Sequence, residues 1–208
     1  SLSPALLIMN RARPSFTACP WTIRPASGRG PVSARPESGK FPSGWKNTAP
    51  ILDRELSQVR YFDAGDIPLP FGNPARSLTM IGQFVAKVLD DQKFPLGLGG
   101  EHLVTWGILP EVAKRFPDLC LIHMDAHADL RQEYEGEALS HATPIWKACQ
   151  LLGPERIYSF GVRSGTREEF HYARTSGMHF YPFEVVRPLK EVLPSLAGKP
   201  VYVTIDID

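Results

Sequence analysis

The sequence predicts an α/β fold, a three-layer α/β/α sandwich built around a mostly parallel sheet. Apolar runs of strand length alternate with helix-length segments from about residue 77 onward, which is typical of a parallel sheet covered by helices on both faces. The run Leu119–Ile122 is apolar at every position. Such a run indicates a strand buried on both faces near the middle of the sheet.

Each predicted element rests on its apolar spacing and its terminal residues. Ser77 is expected to cap a helix through about Asp91, because apolar residues recur there at helical spacing. Thr166 is expected to cap another helix, with Glu168 and Glu169 favourably placed in its first turn. Helices are predicted in all at 77–91, 103–116, 144–152, 166–176 and 183–196, and strands at 59–67, 94–98, 119–124, 156–162, 178–181 and 201–206.

The amino-terminal segment has a different composition. Residues 11–40 are rich in Arg, Pro, Ser and Gly, contain one acid, Glu37, and show no apolar periodicity. A segment of this kind cannot cover a core. We therefore expect residues 1–48 to be an atypical, disordered segment and residues 49–208 to form the folded domain.

Composition and charge exclude several classes of protein. The net charge is +1, so the charge balance implies no binding of nucleic acid or other polyanions. No apolar run approaches the roughly 18 residues of a membrane span. The three cysteines, Cys19, Cys120 and Cys149, do not form a disulfide framework and favour a reducing, cytoplasmic location.

Metal-ligand side chains follow three predicted strands. Asp125, His127 and Asp129 occupy every second position after the central strand, so an extended chain would direct them to one side. Asp206 and Asp208 end the last strand in the same way, and His102 follows a short strand and a glycine pair. The carboxyl ends of parallel strands are where sites are built in such folds, so we expect the six residues to converge there.

This set of ligands favours two ions over one. Four carboxylates and two imidazoles are too many for one tetrahedral zinc ion, which binds about four ligands, mostly nitrogen and sulfur. Oxygen-rich sets with some imidazole favour manganese. Two ions about 3.5–4 Å apart can activate a shared water toward one electrophile. The alternative to a metal site is a polar loop whose side chains cap the next helix.

Five short motifs, in this order, resemble the ureohydrolase family and are closest to those of its agmatinases. They are Gly99–His102, Asp125–Arg131, Tyr134–Gly136, Ser140–Pro144 and Asp206–Asp208. The resemblance covers residues 49–208. It implies an arginase-like fold, two Mn²⁺ ions and hydrolysis of the guanidinium group of agmatine to putrescine and urea, a step of polyamine biosynthesis. It also implies a homo-oligomer, either a trimer or a hexamer, for the full-length protein.

The resemblance also implies residue roles. One ion would be held by His102, Asp125, Asp129 and Asp206, and the other by His127, Asp125, Asp206 and Asp208, so that Asp125 and Asp206 bridge. His141 would be the general acid or proton shuttle, because the leaving amine needs a proton from a group that titrates near neutrality. Tyr134, Gly136 and Arg163 would bind substrate, and His123 is expected to be a core or supporting residue rather than a ligand.

Family members continue beyond the position of Asp208. We therefore expect a partial catalytic domain that lacks the carboxyl-terminal part, including the glutamate that binds the guanidinium, and that is inactive alone.

Two alternatives to an agmatinase stay open. The first is another hydrolase of the same family, such as a guanidinobutyrase or a formiminoglutamase, because the ligands do not separate these enzymes. The second is a degraded paralogue that only binds metal or partner subunits.

Overall fold

The computed structural model describes residues 5–10, 48–49, 51, 53–55, 62 and 64–207. The chain divides into two compact units, residues 27–66 and residues 1–26 with 67–208. In the smaller unit the described residues form a short antiparallel pair, β2 (Thr48–Ala49) with β3 (Arg54–Glu55). The predicted metal ligands all belong to the larger unit.

A six-stranded sheet forms the centre of the larger unit, in the order β4–β1–β8–β5–β6–β7. Every pairing between neighbouring strands is parallel. The strands are β1 (Ala5–Asn10), β4 (Gly97–Gly99), β5 (Cys120–Met124), β6 (Ile157–Phe160), β7 (His179–Tyr181) and β8 (Val201–Asp206). The helices are α1 (Pro74–Asp90), α2 (Val104–Arg115), α3 (Pro144–Leu152), α4 (Arg167–Thr175) and α5 (Val186–Val192).

Helices cover both faces of this sheet, because successive strand residues point to opposite sides. Leu121 and Tyr202 join the larger apolar cluster, which contains residues of α1, α2, α3 and α4. Cys120 and Ile122 join the smaller cluster, which contains Val192 of α5. The α/β sandwich with a parallel sheet predicted from the sequence is thus confirmed.

Strand β1 corrects one expectation. Ala5–Asn10 lies within the segment expected to be disordered, yet it pairs with both β4 and β8 inside the sheet. A short apolar run such as Leu6–Met9 is long enough to pair with a strand on each side, even when a polar segment follows it. The expectation for residues 11–47 lies outside the described residues.

Some predicted boundaries are also wrong. Helix α1 begins at Pro74, and its cap is Asn73, whose side chain accepts a hydrogen bond from Arg76 N at 3.0 Å. Ser77 lies inside the helix and donates to the Asn73 carbonyl. Residues 64–67 form no strand, and the strand predicted at 94–98 lies at Gly97–Gly99. Residues 193–196 form a 3₁₀ turn after α5.

None of the helices among the described residues is both long and apolar enough to span a membrane.

Candidate metal centre

Three strand ends deliver the central residues of the site. Asp125 follows β5 directly, Asp206 is the last residue of β8, and His102 lies in the turn between β4 and α2. Strands β5 and β8 are neighbours in register, with Met124 opposite Ile205. Their carboxyl ends therefore meet at one edge of the sheet, as the strand patterns predict.

The His102 ring is the point where three carboxylates converge. Its Nδ1 atom lies 2.6 Å from Asp129 Oδ2, 3.2 Å from Asp125 Oδ2 and 3.8 Å from Asp206 Oδ2. The ring is 2% exposed. Its other nitrogen, Nε2, lies 3.2 Å from the hydroxyl of Thr204 on β8, so the ring is oriented with Nδ1 toward the acids.

Alternation along an extended strand does not explain how Asp129 reaches the cluster. Its φ angle is +50°, in the left-handed region that side chains other than Gly, Asn and Asp rarely adopt. The chain therefore turns at this residue instead of continuing extended. The main-chain carbonyl of Asp129 then accepts hydrogen bonds from Ile145 N and Trp146 N, each at 3.1 Å, in the first turn of α3.

The acids change the protonation of the ring they surround. Burial alone would lower the pKa of His102, but hydrogen bonds to Asp125 and Asp129 outweigh burial and raise that pKa well above its ordinary value. Burial alone would likewise raise the pKa of Asp125, and hydrogen bonds from His102 and His123 hold it far below its usual range. The site therefore joins a carboxylate, Asp125, whose ionised form is favoured, to a ring, His102, whose charged form is favoured.

His127 lies at the outer side of the cluster. Its main-chain N–H donates to Asp125 Oδ1 at 2.7 Å, and its ring Nδ1 lies 3.5 Å from the same oxygen. The side chain is 47% exposed. The loop that follows β6 runs beside it, because His127 and Ser164 form a parallel bridge and Ala128 N donates to the Ser164 carbonyl. Asp208 lies outside the described residues.

His123 contacts a predicted ligand directly. Its Nε2 lies 3.0 Å from Asp125 Oδ2 and its Nδ1 lies 2.9 Å from Ser159 Oγ. Its ring stacks on that of His102, with centroids 5.3 Å apart. His102, His123 and Asp125 could together hold a metal ion. The supporting role expected for His123 stays a prediction.

Glu101 is a site feature that the sequence reasoning named only as part of a motif. Its Oε1 accepts a hydrogen bond from Leu103 N at 3.1 Å, while Oε2 is buried without a hydrogen-bond partner among the described residues. Burial raises the pKa of Glu101 to about 7. The position after Gly99 and Gly100, beside His102, is the signal that could have identified it.

The predicted substrate residues lie on two exposed loops. Tyr134 N–H and carbonyl pair with those of Glu137 across a two-residue turn, in which Glu135 and Gly136 both have positive φ. This is the geometry of a tight hairpin turn, and it puts Gly136 at an exposed tip. Arg163 is exposed, and its N–H donates to the Ala126 carbonyl at 2.9 Å.

His141 contacts the same hairpin. Its ring is exposed and lies edge-on to the Tyr134 ring, with centroids 5.3 Å apart. The guanidinium of Arg131 lies 4.9 Å from the Tyr134 ring, and the Arg131 Nε lies 3.4 Å from Glu169 Oε2. His141 thus contacts an aromatic and cationic cluster on the loop 130–143.

The donor set fits divalent cations. Ionised carboxylates are rarely buried together unless a cation or hydrogen-bond donors compensate their charge. Asp125 and Asp129 are 5% and 7% exposed, and they lie with Asp206 around one imidazole nitrogen. Carboxylate oxygen with imidazole nitrogen is the mixture that suits manganese and similar ions.

Comparison with known proteins agrees with this fold. The model of the arginase family matches residues 15–208. An agmatinase from Bacillus cereus is 62% identical over 190 residues, which is 90% of this chain and 64% of that protein. The chain thus spans less than two thirds of the length of that relative.

Two further relatives extend the comparison. The crystal structure of a putative agmatinase from Clostridium difficile superposes with a TM-score of 0.74 at 32% identity, over 98% of this chain and 71% of the other. A guanidinobutyrase from Pseudomonas aeruginosa is 33% identical over 156 residues, 70% of this chain and 49% of that protein. The chain belongs to the arginase family.

Proposed function

We propose that this chain carries the metal-binding part of a binuclear manganese ureohydrolase that hydrolyses agmatine to putrescine and urea. The observation that carries the proposal is the convergence of Asp125, Asp129 and Asp206 on Nδ1 of the buried His102. The similarity to an agmatinase, at 62% identity, supports agmatine as the substrate. The polyamine pathway follows from putrescine as product.

His102, Asp125, Asp129 and Asp206 would hold one ion, and His127 with Asp125, Asp206 and Asp208 the other. The ions would supply the positive charge that makes a water nucleophilic near neutral pH. Nδ1 of His102 faces the acids because Nε2 is tied to Thr204. The same ring must give up its extra proton before Nδ1 can donate electrons to an ion.

We assign proton transfer and substrate contact to residues of the loop 130–143. An amine leaves the tetrahedral carbon easily only when it takes a proton, so the leaving nitrogen needs a nearby acid. His141 is exposed, and its edge contact with Tyr134 restricts the orientation of its ring. We assign His141 the proton transfer, and Tyr134 and Gly136 the contact with the aliphatic part of the substrate.

A guanidino acid is the second candidate substrate. Arg163 presents an exposed cation beside the loop that carries His127, and a cation of this kind pairs with a carboxylate. Agmatine has no carboxylate, whereas 4-guanidinobutanoate has one. The similarity to a guanidinobutyrase, at 33% identity, also supports a guanidino acid as substrate, although the identity to an agmatinase is higher.

A substrate panel tests the proposal. The purified full-length protein that contains this chain, loaded with Mn²⁺, is assayed for urea release from agmatine, 4-guanidinobutanoate and arginine, with Asp125→Asn as the inactive control. We expect agmatine to be the preferred substrate. Faster turnover of 4-guanidinobutanoate, abolished by Arg163→Gln, would select the guanidino acid. Absence of urea from all three would refute a ureohydrolase activity.

The family resemblance also predicts a trimer or hexamer, which the native mass in solution tests. A cytoplasmic location stays a prediction, supported by free thiols at the buried Cys120 and Cys149.

A further inference from the structure

Three neighbouring strands carry matched layers of side chains beneath the candidate metal centre. On one face, β8 presents Tyr202, Thr204 and Asp206, and β6 presents Ile157 and Ser159. Strand β5 presents Leu121 and His123, and Asp125 follows directly after its end. The register aligns them, since His123 lies opposite Thr204 on one side and Ser159 on the other. A polar row therefore separates an apolar row from the acids.

This polar row is fully buried. Thr204 and His123 are 0% exposed and Ser159 is 1% exposed. Buried polar groups destabilise a fold unless they are hydrogen-bonded. Apolar side chains would fill the same positions at lower cost, so the row needs a reason other than packing.

The hydrogen bonds of His123 define one protonation pattern in the neutral ring. An ionised carboxylate only accepts hydrogen bonds, so Nε2, at 3.0 Å from Asp125 Oδ2, must carry the proton. Nδ1 is then an acceptor, and the Ser159 hydroxyl at 2.9 Å must donate to it. Ser159 thereby fixes the tautomer in which His123 donates to Asp125.

The Asp125 carboxylate is consequently held from two directions. Its Oδ2 accepts from His123 Nε2 and lies 3.2 Å from His102 Nδ1, and its Oδ1 accepts from His127 N at 2.7 Å. Each carboxylate oxygen has two lone pairs, so Oδ1 keeps one for a cation, and Oδ2 keeps one once His102 Nδ1 no longer carries a proton. Such a carboxylate is prevented from rotating and can still offer both oxygens to cations.

We propose that Ser159 and His123 form a positioning relay that orients the Asp125 carboxylate for divalent cations. The proposal rests on the proposed function, because it presupposes that Asp125 is a metal ligand. Neither residue is a catalytic residue, since both act through Asp125. Partners of this kind typically change metal affinity by roughly 10- to 100-fold.

The test measures Mn²⁺ binding to the full chain through the electron paramagnetic resonance signal of free Mn²⁺. Ser159→Ala should raise the dissociation constant roughly 10-fold, because only the donor to Nδ1 is lost. His123→Leu should raise it up to about 100-fold, and His123→Gln should recover part of that loss, since its amide can still donate to Asp125. Ser77→Ala is the matched control: Ser77 is a buried serine of α1 that bonds to the Asn73 carbonyl, and its replacement should leave the constant unchanged.

A second readout does not depend on metal. In the metal-free protein, ¹⁵N spectra recorded at a pH where the His123 ring is neutral should place its proton on Nε2, and Ser159→Ala should mix the two tautomers. Urea unfolding of each variant identifies a loss of stability. If His123→Leu does not fold, the Mn²⁺ dissociation constants of Ser159→Ala and His123→Gln still test the relay.

The outcomes separate the two proposals. If the unmodified chain binds Mn²⁺ and Asp125→Asn abolishes binding, the metal centre stands. If Ser159→Ala and His123→Leu then bind Mn²⁺ like the unmodified chain, the relay is refuted and the two residues only fill the core. If the unmodified chain binds no Mn²⁺, the metal centre fails and the relay fails with it.

Discussion

The Oε1 atom of Glu169 accepts a hydrogen bond from the main-chain N–H of Leu130 at 3.0 Å, so the first turn of α4 is joined to the loop that carries Asp129. The other oxygen, Oε2, accepts from Thr166 N and from Arg131 Nε. One buried carboxylate thus completes the cap of a helix and fixes the residues directly after a predicted ligand.

Glu169→Gln should weaken this connection. The NH₂ group that replaces one carboxylate oxygen in Gln cannot accept a hydrogen bond from a main-chain N–H, so at least one donor loses its partner. We expect the free energy of unfolding to fall by about 1–3 kcal/mol, which is the usual cost of an unsatisfied buried donor, as measured by urea denaturation. Glu168→Gln, on the exposed side of the same helix turn, should have a smaller effect, and an equal loss in both variants would contradict the role of Glu169.

Removal of metal should lower thermal stability. A cation that binds only the folded chain stabilises it by about 2.7 kcal/mol at 100 times its dissociation constant, which corresponds to roughly 5–10 °C in a chain of this size. Differential scanning calorimetry with Mn²⁺, and then with a chelator, measures the shift. Asp125→Asn should show little shift, and a full shift in that variant would argue for binding elsewhere.

Alkaline pH should destabilise the protein through Cys149. Burial raises the pKa of this thiol from the ordinary value of 9.0 to about 12. The unfolded chain therefore loses the proton first, so the contribution is fully present below pH 9 and is lost as the pH rises toward 12. At pH 10 the loss is about 1.4 kcal/mol. Urea denaturation at pH 8 and pH 10 should show that Cys149→Ala loses less stability between these values than the unmodified chain, and parallel losses would contradict the raised pKa.

His141→Asn should separate catalysis from metal binding. Loss of a general acid lowers turnover by roughly 100- to 10,000-fold, while the Mn²⁺ dissociation constant should stay the same because the buried acids are unchanged. Urea release at saturating agmatine, together with Mn²⁺ titration, makes the measurement. His171→Asn, which changes an exposed histidine of α4, is the control and should keep full activity. Normal turnover in His141→Asn would refute the assignment of proton transfer to this residue.

The sequence predicted the architecture and the meeting of His102, Asp125, Asp129 and Asp206, four of the six predicted ligands, because these depend on local patterns. The apolar run ending at Ile122 identified the central strand, and paired acids after it and after Ile205 identified the edge of the sheet. Strand β1 was missed because its apolar run is short and a segment rich in Arg and Pro follows it. The bond between His123 and Ser159 was missed because it depends on the register between strands, which no local pattern encodes.

Asp129 links two parts of the molecule whose properties would otherwise be independent. Its side chain lies against His102, and its carbonyl receives two N–H groups at the beginning of α3. Replacement by Asn or Gly would tolerate the left-handed backbone and lose only the carboxylate, whereas Val or Ile would disturb the helix as well. Inherited changes at this position therefore either remove the predicted ligand oxygen and leave the fold intact, or disturb the fold as well, so the backbone geometry alone limits which substitutions the position tolerates.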